Sequence, residues 1–150
     1  MALQTNYPDI QPAATLGAQA TMLPATIISR DVETAPGIGF GRAVAQGAAD
    51  KGIVLAGTGA LKLVGITLLD RSAVGSDGVP DSFAQRSSAR VITKGDVWVT
   101  AAVAVKAGDP VFVTEAGTFT NVATDNTAFA GARWDTSTTA AGQLAVVRLG

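Results

Sequence analysis

Apolar and polar residues alternate with a period of two in several short runs, and no long 3.6-residue period appears between them. Residues 25–30 read as a first strand, and residues 31–41, rich in Pro and Gly, as a turn region. Phe40, Arg42, Val44 and Gln46 then alternate against small residues, which predicts a strand over 39–46. Residues 53–55 follow a turn at Asp50-Lys51-Gly52. The apolar stretch 61–69 is the strongest strand signal, with Val64, Ile66 and Leu68 on one face; Gly65 in its middle marks a bulge or a close backbone approach. Further strands are predicted over 128–135 and 143–149. About ten short strands between turn signals predict a mainly β domain, a small β-barrel or β-sandwich.

Between Val91 and Asn121 one unit occurs twice. Lys94-Gly95-Asp96 leads into Val97-Trp98-Val99, and Ala107-Gly108-Asp109 leads through Pro110 into Val111-Phe112-Val113. Gly and Asp are turn residues, and Val, Trp and Phe favour a pleated surface, so the unit reads as a turn feeding a strand. With Ala116-Gly117 releasing the chain into Thr118-Phe119-Thr120, the stretch predicts a meander of three strands. Large apolar residues occupy both faces of its strands. One face can be core; the other needs cover from a second layer, an arm or a sister subunit.

Two segments differ in kind. Residues 1–24 carry Pro8, Pro12 and Pro24, scattered apolar residues and a single charge, Asp9. They read as an extended N-terminal arm preceding one β domain over 25–150. Disorder is the plain alternative, but disordered segments are usually charge-rich. Residues 70–90 form a long polar loop of Ser, Gly and Asp with one aromatic, Phe83. Loops beyond about 12–15 residues are usually functional or disordered.

Composition narrows the function more than the fold. The 150 residues contain no Cys and no His, which removes thiolate chemistry, disulfides and the side chain most used for proton transfer near neutrality. Charged residues make up 15% of the chain, well under the ~25% usual for soluble domains, which fits a surface that lies against something else and nearly as well an Ala-rich soluble domain. The net charge is −1 with no basic run, so neither nucleic acid nor an anionic membrane is an expected partner. The start shows no basic targeting segment, and no apolar run approaches the roughly 18 residues of a membrane span.

No motif supports catalysis. Gly37-Ile38-Gly39-Phe40-Gly41 lacks dinucleotide-loop spacing, and Gly57-Thr58-Gly59-Ala60-Leu61-Lys62 lacks that of a P-loop. Asp70, Asp77 and Asp81 do not follow a calcium-loop pattern, and Glu33 and Glu115, the two glutamates, are not placed as a pair. No enzyme, cofactor or metal site is expected. A carbohydrate-binding module stacking sugars on Trp98 or Trp134 is the alternative non-enzymatic role.

Several motifs resemble the structural cement proteins of tailed bacteriophages. They are Phe40-Gly41-Arg42-Ala43-Val44; Val64-Gly65-Ile66 with Asp70; the doubled unit from Thr93 to Val113; and Gly131-Ala132-Arg133-Trp134 with Leu144–Leu149. They span residues 38–149; 1–24 and 71–90 match no motif. The resemblance implies a protein made in the host cytoplasm that binds the exterior of the virion capsid. There it would bridge neighbouring copies of the major capsid protein and stabilise the head. It also implies a homo-oligomer, with a trimer favoured and a dimer possible. On this reading Ile10, Leu16, Met22 and Leu23 are arm anchors, and Phe83 and Trp98 are further candidate contacts with capsid or a sister subunit.

Overall fold

The computed structural model describes residues 15–57, 62–76 and 79–150, which form eleven strands and no helix. In chain order these are β1 (Thr26–Val32), β2 (Ile38–Gly39), β3 (Ala43–Gln46), β4 (Gly52–Leu55), β5 (Leu63–Thr67) and β6 (Ser82–Phe83). Then follow β7 (Ser88–Thr100), β8 (Pro110–Val113), β9 (Phe119–Thr120), β10 (Thr127–Trp134) and β11 (Leu144–Leu149). The main sheet has the order β1-β4-β3-β5-β7-β11-β10-β8-β9, and β1 also pairs with β7. That extra pairing closes β1, β4, β3, β5 and β7 into a five-stranded barrel, which leaves none of those strands with a free edge along its whole length. The fold is all-β, as the alternation predicts.

The thirteen residues of β7 serve two structures in turn. The first half pairs with β1 and β5 in the barrel, and the second pairs with β11, from Leu144↔Thr100 to Leu149↔Gly95. Beyond β11 lie β10, β8 and β9, and Ala101↔Phe119 curls this second sheet back toward the end of β7. Ile92 and Val97 share one apolar cluster although they stand five positions apart, an odd spacing that would put them on opposite faces of a regular strand. A register shift resolves the parity. Thr26 pairs with Lys94 and Ile27 with Ile92, so β7 carries one extra residue there, and Gly95 beside it takes a φ of 128°.

The core has two parts. Val44, Ile53, Ala89 and Val91 fill the barrel, with Ile38, Phe40 and Phe83 packed against them. Phe40 and Phe83 meet edge to face at 5.2 Å and 74°. The second part lies between the barrel and the second sheet, where Ala43, Ala45, Ile66 and Ile92 face Val99, Val113, Phe119, Trp134 and Val147. The fully buried alanines at 43, 45, 56 and 145 are small enough to let the two layers close on each other.

Three expectations are corrected. Residues 31–41 are not all turn, because β1 continues to Val32 and Ile38–Gly39 forms β2, paired with β6 from inside the polar loop. Lys94-Gly95-Asp96 is a bulged stretch inside β7 rather than a turn. The three-strand meander is a hairpin only, since β8 pairs with β9 and β10 and not with β7. Local Gly-Asp chemistry is the same in a bulge as in a turn, and the partner strands decide which one forms.

Candidate binding surface: an arm strand, an exposed turn and a cleft

From Thr15 onward the expected arm is bound to its own domain. Gly17 N donates to Trp98 O at 2.8 Å, Trp98 N to Ala18 O at 2.9 Å and Ala20 N to Asp96 O at 3.1 Å. Leu69 N donates to Gly17 O at 2.8 Å, fixing the far end of this strand-like segment. The arm thus continues the edge of β7 that β1 occupies further back, and residues 21–25 bridge the two where β7 is bulged. A Cβ at Gly95 would meet the Cβ of Ala25 at 2.9 Å, so this crossing needs glycine.

Asp96 ties the crossing down. It is 1% exposed, and Arg148 of β11 donates to it twice, through Nε at 2.7 Å and an Nη at 2.9 Å. The same Nη reaches Asp135 at 3.2 Å. Thr21 of the arm donates its hydroxyl to Asp96 at 2.8 Å. The Arg148 hydrogen bonds hold the Asp96 carboxyl below its ordinary range against burial, and Thr21 adds to the effect. The cluster joins arm, β7 and β11. Sequence reasoning missed it, although Arg148 inside an apolar strand is a charge in need of a partner. The second Gly-Asp behaves differently: Asp109 accepts from Lys106 N at 3.0 Å and Asn121 Nδ2 at 2.7 Å, closing a turn.

The expected contact residues separate. Met22 is 101% exposed and Leu23 48%, with Ile27 of β1 also exposed. Leu16 is half-buried and turned inward, close enough to Gly41 that a Cβ there would meet its Cδ1 at 2.6 Å. Trp98 is half-buried on β7. Phe83, expected at a contact, is a core residue at 1% exposure, because Phe40 gives the lone aromatic of the polar loop a partner. Ile10 lies outside the described residues. Trp134 is wholly buried, so its ring offers no face to a sugar.

A cleft of about 830 Å³ opens between the start of the arm strand, β2 and the segments 69–73 and 79–82. Leu16, Ile38, Phe40, Leu55, Leu69 and Val79 give it apolar walls, and Arg42, Asp70, Arg71 and Asp81 add charges of both signs. Asp70 is engaged by Ser72, whose backbone N and hydroxyl both donate to it, at 2.9 and 2.6 Å. Glu33 likewise serves the chain itself, accepting from Ala48 N and Ala49 N in the β3–β4 turn. Among the described residues no group of three acidic side chains is placed to hold a metal ion.

This all-β architecture is shared with a chain of a phage capsid. A chain from the capsid of Myoviridae phage XM1 superposes with a TM-score of 0.74 at 22% identity, over 100% of this chain and 98% of that one. A weaker likeness, TM-score 0.46 at 14% identity, covers 83% of this chain and 95% of the head fiber gp8.5 N base of bacteriophage phi29. A comparison with curated proteins returns no match. The chain belongs to the phage structural cement protein family: the model described as structural cement protein (E217 gp24/Pam3 gp6) matches residues 3–150. It is therefore a structural protein of the phage capsid.

Proposed function

We propose that the protein binds the outer surface of the capsid shell and bridges neighbouring major capsid proteins as a homo-oligomer, a trimer by preference, stabilising the head. The observation that carries this reading is the family match from residue 3 to residue 150, which includes the arm as well as the barrel. The role is adhesive rather than catalytic, in keeping with a chain that has neither His nor Cys. A shell under internal pressure parts between subunits, so a clip across that seam must dissociate slowly. Linked contacts achieve this, since avidity gains of about 10²–10⁴ need no stronger single contact.

The structure changes how the arm has to be tested. Removing residues 2–20 would strip the bonds that Gly17, Ala18 and Ala20 make with β7 and take Thr15 and Leu16 out of the cleft wall. Removing 2–14 leaves all of them. The shorter truncation is expected to keep the melting temperature while lowering co-sedimentation with capsids by about ten-fold or more, the equivalent of one lost anchor of roughly 1.4 kcal/mol. The longer truncation is expected to lower both. Full capsid binding by the 2–14 truncation would show that residues 2–14, Ile10 among them, are not the anchor.

A further inference from the structure

The outer edge of β1 is open from Ile27 to Ser29. Asp31 N donates to Lys51 O, whereas Val32 N donates to Ser87 O. Odd-numbered residues of β1 therefore turn their backbone groups toward β4, and even-numbered ones toward β7. Strand β4 begins only at Gly52, opposite Asp31. The N–H groups of Ile27 and Ser29 thus point past the end of β4, and among the described residues no group accepts from them. The described arm lies elsewhere. It follows β7 from Gly17 beside Trp98 to Ala20 beside Asp96, with Thr15 at its far end from β1.

Sheets seldom leave such an edge bare, and one common guard is a charged side chain that points inward from the edge strand. Arg30 is that residue here. Ile28 and Val32 on either side of it pack in the barrel cluster, so Arg30 between them also faces the barrel interior. Its Nη1 donates to Ser29 O at 3.1 Å, a carbonyl of the open edge. Its Nε is buried and has no hydrogen-bond partner among the described residues, where the ion pairs belong to Arg148 instead. A buried donor left without an acceptor is costly, so what this edge lacks is an acceptor. On the outer face Ile27 is 38% exposed, and the chain carries no charge from residue 10 to residue 29.

We infer that the open edge of β1 receives an extended segment of the major capsid protein, with a carboxylate of that segment on Arg30. The added strand bonds to the free backbone groups of Ile27 and Ser29, and its side chains alternate between the two faces. The one beside Arg30 is Asp or Glu, and the one beside Ile27 is apolar. Arg30 thereby discriminates between partners: an uncharged strand leaves the guanidinium unpaired, and an acidic one satisfies it. A second copy of this chain is rejected on the same ground. Residues opposite each other in an antiparallel ladder share a face, so two β1 edges would set Arg30 against Ile28 or another Arg30. Asp31, the nearest acid in sequence, points to the other face. A strand of three or four residues falls well short of the ~1,200 Å² of a stable interface, so this is one of several contacts per copy. The inference deepens the capsid binding in the proposed function and rests on it.

The edge is tested first without capsids, on the full-length protein. Amide exchange is expected to be fast at Ile27 and Ser29 and slow at Ile28 and Arg30, whose N–H groups face β7. Slow exchange at all four would mean that the edge is already covered, by this chain or a second copy, and would overturn the inference. Capsid binding is then measured by co-sedimentation. Ser29→Pro removes an outward N–H and no bond to β7, a change that edge strands tolerate. Arg30→Glu sets a like charge against the incoming carboxylate. Each variant, once its melting temperature has shown it folded, is expected to bind capsids about ten-fold or more weakly than the parent. Lys106→Glu, an exposed charge reversal on a distant turn, is expected to bind as the parent does. An equal loss in Lys106→Glu would mean a general effect of charge and overturn the inference. A parent protein that does not sediment with capsids would refute the proposed function and this partner with it. Binding by the parent, undiminished in folded Ser29→Pro and Arg30→Glu, would overturn this inference alone.

Discussion

Replacing Arg148 by methionine is expected to destabilise the protein more than replacing Asp96 by asparagine, although the two share one ion pair. The reason is the difference in burial. Asp96 is 1% exposed, whereas the Arg148 side chain keeps 28% of its surface in solvent. Without Arg148 the Asp96 carboxylate keeps the Thr21 hydroxyl and the more distant charge of Arg133. A buried charge deprived of its partner typically costs about 3–5 kcal/mol. Without the Asp96 charge, Arg148 still has Asp135 at 3.2 Å and water within reach. Methionine preserves the packing of the arginine stem, so the charge is the main thing removed. In the double variant no charge is stranded, and its melting temperature is expected above that of Arg148→Met alone. Equal losses for the two single variants would show that the cluster is not buried as described.

The pH dependence follows from the same cluster. The folded-state pKa of Asp96 lies below its unfolded value, so its contribution to stability is complete above the ordinary aspartate range near ~3.9. That contribution is lost as pH falls through the depressed folded value. In Arg148→Met the carboxylate is desolvated without its main partner, so it takes up a proton at a higher pH than in the parent. The melting temperatures of parent and variant are therefore expected to converge on acidification, and a gap that stays constant from neutral to acid pH would contradict the assignment. Thr21 shares the carboxylate, so the arm crossing should loosen in the same range, seen as faster amide exchange at Ala20.

How much of this was legible in the sequence depends on how local the cause is. The runs that became β5, β8, β10 and β11 could be read because β-branched residues and alternation act within a few residues of each other. Closure of the barrel could not, because the parallel contact of Asp31 with Gly52 and Val32 with Ile53 leaves no local trace. The two-residue strands β2 and β6 are likewise made by their pairing, Ile38 with Phe83, across the barrel mouth. Met22 and Leu23 stood out as apolar residues in a nearly uncharged segment, and they are exposed. Phe83 looked equally free because its partner Phe40 is far away in sequence. Asp96 reads as a turn residue for the same reason, its partner Arg148 lying 52 residues on.

Substituting Gly65 by alanine is expected to be among the most damaging single-methyl additions in the chain, lowering stability by about 3 kcal/mol, the upper end of ordinary overpacking. Gly65 sits in β5 where that strand is paired on both sides, with β3 and with β7. A Cβ there would fall within van der Waals contact of the Ile92 carbonyl oxygen and 2.8 Å from Cγ1 of Val91. The first obstacle is backbone, which cannot rotate out of the way as a side chain can. The β3 register shifts at the same place, Val44 facing Gly65 and Ala45 facing Leu63, so the bulge and the close approach expected of this glycine occur together. To admit a methyl group, β5 must move away from β7 at the seam that closes the barrel, disturbing Ile66 and Ile92 in the core between the two layers. Gly108 is the control that separates room from conformation. Its φ is 95° and nothing lies within 4 Å of its missing Cβ, so alanine there costs only the positive-φ penalty of roughly 1–2 kcal/mol. Urea unfolding of the two variants should therefore place Gly65→Ala below Gly108→Ala. The reverse order would mean that β5 and β7 are not held as closely as the barrel requires.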